Sequence, residues 1–276
     1  MSLLPKITII TPTFRRAAVL ERSIVSVIEQ KYQNIEYIII DGGSTDGTVD
    51  LLKKYDSSIT KWVSEPDEGP MHAFLKGYAM ATGDYIFFLP SDDYFEPGVL
   101  HSIGDILRTE KCDVLHGNFV YYDNVNGSNF LCKPWFVTNT DIYRNRYMWP
   151  SVYLCTFFVK KSIYDTFIYN VDAKYIYAGD FKMYQMLLDR NAVFTYFDKA
   201  ITHMSSGGIS DGAIQGYIQI AEIAIEHGCS RASALIHLVT KIISRSFSQL
   251  LIWLGLNRLR NMCLTNYYKN IVKLNT

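Results

Sequence analysis

The chain has 276 residues, of which 49% are hydrophobic and 20% are charged, so we expect a packed globular protein of one or two domains rather than a disordered one. Lysine plus arginine and aspartate plus glutamate balance at 27 each, which gives no global field favouring nucleic acid, and we expect no nucleic-acid partner. The five cysteines are widely spaced and form no CxxC pair, which is typical of reduced thiols in a cytoplasmic protein.

The amino-terminal part of the chain alternates between short apolar runs and segments with helical periodicity. The apolar runs predict buried strands and the periodic segments predict helices, so the alternation indicates a doubly wound, mostly parallel sheet with helices on both faces. The amino end enters a strand pattern almost at once and does not have the layout of a secretory signal. The predicted strands are 7–11, 37–40, 59–63, 85–89 and 114–122, and the predicted helices are 17–30, 46–55, 70–82 and 97–108.

The pattern changes beyond the fifth strand. Residues 121–153 are rich in Asn, Gly and aromatic side chains, and Asn126-Gly127 predicts a hairpin turn within a smaller antiparallel or irregular layer. The elements predicted after this layer are a strand at 157–160, a helix at 180–190, a strand at 193–197 and a loop at 203–210.

The carboxyl-terminal part is predicted to be entirely helical, which divides the chain into a domain of residues 1–212 and a helical extension of residues 213–276. An apolar stripe in this extension is interrupted by Lys241 and Arg245, so we do not predict a membrane-spanning helix. Two interpretations stay open. The stripe packs on the first domain or on a partner subunit, or its basic amphipathic face makes a peripheral contact with a membrane surface.

Acidic and small residues follow two of the predicted strands. One apolar run leads into Asp41-Gly42-Gly43-Ser44-Thr45-Asp46-Gly47, and a later one leads into Pro90-Ser91-Asp92-Asp93. Because open α/β sheets bind ligands at the carboxyl ends of their strands, we expect both sets of carboxylates at one crevice. Carboxylates at this position suit a divalent metal that bridges to a diphosphate, or the hydroxyls of a ribose. The pattern indicates a nucleotide-sugar site.

Taken in order, three motifs resemble those of family 2 glycosyltransferases with the GT-A fold: Ile9-Ile10-Thr11-Pro12-Thr13-Phe14, Asp41-Gly42-Gly43-Ser44-Thr45-Asp46-Gly47-Thr48, and Gly83-Asp84-Tyr85-Ile86 running into Ser91-Asp92-Asp93. The segment Ser64-Glu65-Pro66-Asp67-Glu68-Gly69 is similar to that of a subgroup that makes colanic acid and other surface polysaccharides.

The resemblance implies an α/β, Rossmann-like GT-A domain and a reaction. The expected reaction is metal-dependent, inverting transfer of a single hexose or hexosamine-type sugar from a nucleotide diphosphate sugar to a saccharide or lipid-linked saccharide. UDP-, GDP- and dTDP-sugars are all expected as candidate donors, and Mn²⁺ or Mg²⁺ is the expected cofactor. The setting would be bacterial surface polysaccharide biosynthesis, in the cytoplasm or at the inner face of the cell membrane. The oligomeric state stays open.

The resemblance also implies roles for residues near the nucleotide. Pro12, Thr13 and Phe14 lie where the family holds the base, and the Phe14 ring is expected to stack on it. Asp41 is expected to contact the base or ribose, although packing or a turn role is the alternative for Phe14 and Asp41 alike. Asp67 is expected to contact the sugar or nucleotide, with a solvated loop charge as the alternative.

Two further roles concern the chemistry. Asp93 is the first candidate to bind the metal, and Asp92 is the second. Asp92 could instead contact the ribose. The structural alternative is that one of the two aspartates caps a helix. Asp180 matches the catalytic base that the family carries at the start of a helix, with an N-cap as its structural alternative. The chain departs from the family pattern at three positions: Gly42, Pro90 and Gly179 stand where the family commonly has an acidic residue.

Several other residues with acidic, imidazole or aromatic side chains are weaker candidates for contacts with the donor, the metal or the acceptor. They are Glu65, Glu68, His72, His203, Trp135, Trp149 and Tyr153. No G-x-G-x-x-G or G-x-x-x-x-G-K-[ST] motif occurs, which argues against a dinucleotide oxidoreductase and a P-loop NTPase. The alternative from another class is a non-catalytic nucleotide- or glycan-binding module of the same fold.

Overall fold

The computed structural model of the protein describes residues 4–123, 128–147, 154–171, 174–175, 177–205, 214–256, 259 and 271–273. The predicted hairpin turn at Asn126-Gly127 and the candidates Trp149 and Tyr153 lie outside these residues.

Strands and helices alternate through the first part of the described chain, as predicted. The strands are β1 (Ile7–Thr13), β2 (Ile35–Asp41), β3 (Lys61–Ser64), β4 (Tyr85–Phe88), β5 (Tyr94–Phe95), β6 (Val114–Asp123), β7 (Ser128–Cys132), β8 (Phe158–Lys160), β9 (Phe194–Ser205) and β10 (Ile271–Lys273). The helices are α1 (Ala17–Ile28), α2 (Thr48–Lys54), α3 (Pro70–Met80), α4 (Val99–Thr109), α5 (Asn139–Arg144), α6 (Lys161–Tyr164), α7 (Gly179–Leu188), α8 (Ile214–Glu226) and α9 (Arg231–Trp253).

All of these strands belong to one sheet. Its order is β10-β7-β6-β8-β4-β1-β2-β3, with β9 beside both β6 and β5. The strands β4, β1, β2 and β3 run parallel, and so do β6 and β9. The strands β8, β7, β10 and β5 pair antiparallel with their neighbours. The predicted doubly wound arrangement therefore forms the amino-terminal half, and an antiparallel layer extends it.

Successive strand residues alternate between the two faces of the sheet. In β2, Ile38 and Ile40 pack with α3 and α7, whereas Tyr37 and Ile39 pack with α1 and α4. Both sets are almost fully buried. This explains why the parallel strands are continuous apolar runs, since each face is covered by helices.

Two predicted segments differ from the structure. His203, expected in a loop, lies in β9, because the strand continues beside β6 and His203 pairs with Tyr94 of β5. The carboxyl-terminal part is not entirely helical, because Ile271–Lys273 forms β10 and pairs with β7, where β-branched side chains suit a strand. The boundary at residue 212 stays a prediction.

Helix α8 is fastened to α7 by polar side chains. Lys182 of α7 forms an ion pair with Glu226 of α8 at 2.6 Å, and Asp189 bonds to His227 at 2.6 Å. Asp189 also pairs with Arg146. The side chain of Gln219 accepts from the Tyr177 N–H at 3.0 Å. The carboxyl-terminal helices are thus joined to the segment that leads into α7.

A buried carboxylate at the end of the sheet opposite the strand carboxyl termini connects three segments. Glu36 accepts from Thr8 Oγ1 at 2.6 Å, from the Thr82 N–H at 2.7 Å and from Lys6 Nζ at 2.9 Å. Burial alone would raise the pKa of Glu36, but these hydrogen bonds, Thr8 foremost, outweigh it and lower the pKa to about 2. The ionised carboxylate is therefore the stable form in the folded protein.

Replacement of Glu36 with Gln is expected to lower the free energy of unfolding at pH 7 by about 2–3 kcal/mol, since a pKa difference of one unit corresponds to about 1.4 kcal/mol. In the wild type this contribution is present above the unfolded-state pKa of about 4.3 and is lost as the pH falls towards 2. Urea titrations at several pH values test this, with exposed Glu222→Gln as the matched control. Equal stability of the two variants would contradict the assignment.

Candidate active site

Three neighbouring strands end at the same level of the sheet. Thr13 of β1 lies opposite Asp41 of β2, and Asp41 lies opposite Ser64 of β3. The Gly42 N–H donates to the Thr13 carbonyl at 2.9 Å, which continues the pairing one residue further. The residues predicted for nucleotide binding therefore meet at one carboxyl edge, as parallel strands require.

Asp41 is fully buried at this edge. Its Oδ2 accepts from the Ser44 N–H at 2.9 Å and from Ser64 Oγ at 2.6 Å, and its Oδ1 accepts from Ser44 Oγ at 2.5 Å. Both carboxylate oxygens are thus held by neighbouring residues, which compensates for their burial. The expected contact of Asp41 with a base or ribose stays a prediction.

The turn from β1 to α1 is held against the turn before α2. The Arg15 N–H donates to Ser44 Oγ at 2.7 Å, and the Arg16 N–H donates to Thr48 Oγ1 at 3.1 Å. Arg15 has φ of +52°, a left-handed conformation that costs energy for a residue with a Cβ. These hydrogen bonds stabilise that conformation and leave Phe14 on the surface, where it is 52% exposed.

Phe14 and Asp67 flank Gly42. A Cβ atom at position 42 would lie 3.0 Å from Asp67 Oδ2 and 3.2 Å from Phe14 Cδ2, so the missing side chain leaves room for both. Asp67 is half-buried, and its Oδ1 accepts from the Gly69 N–H at 2.8 Å. Phe14, Gly42 and Asp67 form a small recess, which we call the strand-end recess.

Thr13 carries a buried hydroxyl at the same edge. Its Oγ1 has no hydrogen-bond partner among the described residues, although Thr13 is only 4% exposed. A buried polar atom without a partner costs free energy, so a native protein that keeps one needs a reason for it. A ligand that supplies the partner is such a reason.

The predicted metal-binding residues lie in a turn after β4. The Asp93 N–H donates to the Pro90 carbonyl at 3.0 Å, which closes the turn. Asp93 is 3% exposed, whereas Asp92 is half-buried with Oδ2 3.9 Å from Arg16. Arg22 donates to the Asp92 carbonyl at 3.3 Å. Pro90 therefore starts the turn that presents the two aspartates.

Strand β5 brings His203 beside this turn. The imidazole stacks on Tyr94 with ring centroids 4.5 Å apart, and its Nε2 lies 2.6 Å from Glu96 Oε2. The Arg22 guanidinium also contacts the Tyr94 ring, 4.2 Å from its centroid. His203 is thus positioned next to Asp93 in the fold, because Asp93 directly precedes Tyr94 in the chain.

The turn fits a divalent metal bound mainly by a ligand. The described residues contain no cluster of three or more His, Cys, Asp and Glu side chains arranged to hold an ion. Mg²⁺ and Mn²⁺ accept one or two carboxylates and take their other ligands from phosphates and water. Asp93, with Asp92 beside it, offers a donor set of this kind.

Asp180 is the second residue of α7, and the N-cap position belongs to Ala178. Burial raises the pKa of Asp180 to about 6, although the hydrogen bond from the Phe181 N–H opposes this rise. Gly179 allows the Met71 side chain of α3 to approach, because a Cβ there would lie 2.6 Å from Met71 Cε. The Met71 side chain thus occupies the space that the side chain of a glutamate at position 179 would need.

Cys155 links the two acidic sites. Burial, followed by the negative charges of Asp93 and Asp180, raises the pKa of the Cys155 thiol well above its ordinary value. Contacts of the fold agree with this: the Cys155 carbonyl accepts from Thr202 Oγ1 at 3.0 Å, Thr202 pairs with Phe95 two residues after Asp93, and the turn 154–156 contacts α7. The structure brings Asp93 and Asp180 into one region although 87 positions separate them in the chain.

The weaker candidates have structural contacts. His72 Nδ1 accepts from the Glu68 N–H at 3.1 Å in the turn before α3. Glu65 forms an ion pair with Lys76 at 2.8 Å. Trp135 is half-buried in the loop after β7. These contacts do not place any of them at the strand-end recess.

Sequence reasoning did not single out Cys155, Arg16 or Arg22. Cys155 looks like any other buried thiol in the sequence, because its neighbours Asp93 and Asp180 are distant in the chain. Arg16 could have been found, since it lies in the turn directly after β1 at the same edge as the carboxylates, whereas Arg22 reaches that edge from α1. They supply positive charge at that edge.

The arrangement combines four groups. They are the exposed Phe14 ring, the Thr13 hydroxyl without a partner among the described residues, the turn of Asp92 and Asp93, and the Asp180 carboxyl group of raised pKa. An aromatic face suits a nucleobase, and the carboxylate turn suits a metal–diphosphate complex. A carboxyl group with a pKa near 6 is ionised at neutral pH and can accept a proton.

Comparison with known proteins identifies the family of the chain. The chain matches the sequence model described as glycosyl transferase family 2 over residues 8–167. An uncharacterized glycosyltransferase of Haemophilus influenzae is 33% identical over 123 residues, which are 44% of this chain and 49% of that protein. The putative teichuronic acid biosynthesis glycosyltransferase TuaG of Bacillus subtilis is 29% identical over 146 residues, which are 51% of this chain and 58% of that protein. The matched region spans about half the length of these curated relatives.

Solved structures show the fold. TarS of S. aureus in complex with UDP-GlcNAc has a TM-score of 0.63 at 18% identity, over 88% of this chain and 73% of that one. The mannosyltransferase PcManGT of Pyrobaculum calidifontis in complex with GDP-Man and Mn²⁺ has a TM-score of 0.61 at 15% identity, over 87% of this chain and 70% of that one. The predicted GT-A fold is thereby confirmed. Since the family model matches more than half of the chain, the protein belongs to glycosyl transferase family 2.

Proposed function

We propose that the chain transfers a single sugar from a nucleotide diphosphate sugar to a saccharide or lipid-linked saccharide, with inversion and with a divalent metal. The observation that carries this proposal is the joint placement of Asp93 and Asp180 near Cys155, since the reaction needs a carboxylate at the diphosphate and a base at the acceptor. The absence of a Gln-x-x-Arg-Trp motif agrees with a single addition rather than polymer synthesis.

The nucleotide is assigned to the strand-end recess and the adjoining strand ends. Phe14 presents an exposed ring on which a base can stack, after Pro12 at the end of β1. Thr13 Oγ1 gains a hydrogen-bond partner from the ligand, and Asp67 accepts from its hydroxyl or amide groups. The neighbours in complex with UDP-GlcNAc and GDP-Man make UDP-, GDP- and dTDP-sugars the donors to test.

Asp41 has a different part in this proposal. Its oxygens already accept three hydrogen bonds from Ser44 and Ser64, and it has no exposed surface. It therefore acts on the nucleotide by holding Ser44, which in turn holds the Arg15 N–H and the turn that exposes Phe14. Because Asp41 has no exposed surface, direct contact with the base requires the residues that cover it to move.

Asp93 first and Asp92 second hold the metal, Mn²⁺ or Mg²⁺. When bound, such an ion stabilises negative charge on the leaving diphosphate. Arg22 fixes the turn through the Asp92 carbonyl, and Arg16 adds positive charge beside the Asp92 carboxylate. The Mn²⁺ in the complex of PcManGT supports this assignment.

Asp180 is the base. It accepts the proton of the acceptor hydroxyl as that oxygen attacks the anomeric carbon from the side opposite the leaving diphosphate, which inverts the configuration. A pKa of about 6 keeps the carboxylate ionised at pH 7 and makes it a better proton acceptor than an exposed aspartate.

The acceptor is assigned to surface-polysaccharide biosynthesis. The names of TuaG, which matches half of this chain, and of the PGL/p-HBAD biosynthesis glycosyltransferase of Mycobacterium bovis support an acceptor of this kind. A lipid-linked acceptor lies at a membrane surface. We therefore place the enzyme in the cytoplasm, in peripheral contact with the inner face of the membrane.

Replacement of Asp180 with Asn is expected to lower the rate of sugar release or transfer by about 10²- to 10⁴-fold while nucleotide binding is retained, because only the proton acceptor is lost. The wild-type rate should fall as the pH drops below about 6, where Asp180 becomes protonated. Donor hydrolysis followed by NMR reports both the rate and the anomer of the released sugar.

The matched control for this experiment is Asp105→Asn, on the exposed face of α4, which should keep the wild-type rate and pH profile. A retained anomeric configuration would contradict direct displacement. Binding of a donor without release or transfer of its sugar, in wild type and variant alike, would favour the non-catalytic module instead.

Thr13→Val is expected to leave the free energy of unfolding unchanged within about 0.5 kcal/mol and to weaken nucleotide binding by roughly fivefold to tenfold, because its hydroxyl has no partner until the ligand binds. Thr8→Val, in the same strand, removes the hydrogen bond to buried Glu36 and should destabilise the fold by about 1–3 kcal/mol. Chemical denaturation and calorimetry on both variants separate the two roles. Loss of stability without loss of affinity in Thr13→Val would refute the assignment.

A further inference from the structure

Helix α9 exposes a row of large apolar side chains, although Leu251 near its end is buried. Its apolar face consists of Leu235, Ile236, Val239, Ile243, Phe247 and Leu250, which are 45–63% exposed. Four of these residues follow each other at intervals of four, so they line one side of the helix. Trp253, at the end of the helix, is 81% exposed.

The opposite side of α9 packs on α8. Ala234 is 2% exposed and Leu238 is half-buried, and both line a cleft with Ile220 and Ala224 of α8. An amphipathic surface helix of a globular protein normally turns its large apolar residues inwards. Helix α9 buries Leu251 but leaves the apolar face exposed over residues 235–250, about four turns. This face is therefore available for contact with something beyond the described residues.

The charge around α9 indicates what covers it. Residues 227–276 contain seven lysines and arginines and no aspartate or glutamate, so all 27 acidic residues of the chain precede them. Lys241 and Arg245 lie two positions from members of the apolar face, hence on the other side of the helix, and Arg231 is exposed at its start. The carboxyl-terminal segment is therefore basic within a chain of zero net charge.

We propose that the apolar face of α9 docks on the surface of an anionic lipid bilayer. An apolar stripe with Phe and Trp on one side and basic residues on the other is the pattern of a helix that lies in the plane of a membrane interface. The field of the basic residues reaches lipid headgroups within a Debye length of roughly 8–10 Å. Among the described residues, no helix is long and apolar enough to cross the bilayer.

A second copy of the chain is a poorer occupant. A twofold interface would bring the same basic segment of both copies together, with no acidic residue in it to pair with the seven cations. An anionic surface offers the complementary charge instead. Docking would also orient the site, since α8 is fastened by Gln219 and Glu226 to the residues that lead into Asp180.

Co-sedimentation with vesicles tests the proposal. Wild type should bind vesicles of 70% phosphatidylcholine and 30% phosphatidylglycerol, bind pure phosphatidylcholine at least tenfold more weakly, and be released in part by high salt. Trp253 emission should shift to shorter wavelength on binding, a shift that Trp253→Phe removes. Ile243→Ser/Phe247→Ser should reduce binding at least tenfold, and Arg231→Glu by roughly fivefold.

The matched control is Ile28→Ser/Val137→Ser, which removes two exposed apolar side chains outside the helix pair and should bind as wild type. Asp180→Asn should also bind vesicles as wild type, so a failed catalytic assignment does not affect this test. Absence of binding to both kinds of vesicle at low salt would overturn the proposal. So would a dimer in light scattering that Ile243→Ser/Phe247→Ser converts to a monomer, because the face would then be covered by a second copy.

Discussion

The candidate site depends on the buried carboxylate of Asp41. It receives hydrogen bonds from Ser44, which follows β2, and from Ser64 at the end of β3, and Ser44 in turn accepts from the Arg15 N–H. In this way one residue at the end of β2 fixes the turns on both sides of it. The exposed Phe14 ring, the gap at Gly42 and the half-buried Asp67 follow from that constraint. Rigid strand ends thus hold the loops in which a ligand would bind.

Acidic residues lie at the candidate site, whereas residues 227–276 contain basic residues and no acidic ones. The acidic groups at the sheet edge differ in environment: Asp93 is almost fully buried in a turn braced by Arg22, whereas burial at the start of α7 raises the pKa of Asp180. The raised pKa of Asp180 suits a proton acceptor, and the turn that holds Asp93 suits a metal–diphosphate complex. Helix α9 and the residues after it are basic, and α9 has an exposed apolar face. The ion pair between Lys182 and Glu226 joins the neighbouring α8 to α7.

Much of the fold could be predicted from local patterns. The buried parallel strands are continuous apolar runs, and Pro70 marks the start of α3, because these signals depend on residues close together in the chain. Asp93 and Asp180 were predicted because family motifs fix their places relative to strand and helix. The placement of His203 was wrong, since its strand forms by pairing with β5 and β6, which are both remote in sequence. The burial of Asp41 likewise depends on Ser64, 23 residues later, and no local pattern contains that information. The same holds for Cys155 and for β10.

The central claim is that the strand-end recess and the Asp93 turn bind a nucleotide diphosphate together with a divalent metal. Calorimetric titration of UDP, GDP and dTDP, each with and without Mn²⁺, into wild type and Asp93→Asn tests it most directly. The account predicts that one nucleotide binds wild type in the presence of Mn²⁺, binds much more weakly without it, and loses this metal dependence in Asp93→Asn. Failure of the folded wild type to bind any of the three nucleotides with Mn²⁺, or equal binding by wild type and Asp93→Asn, would contradict it.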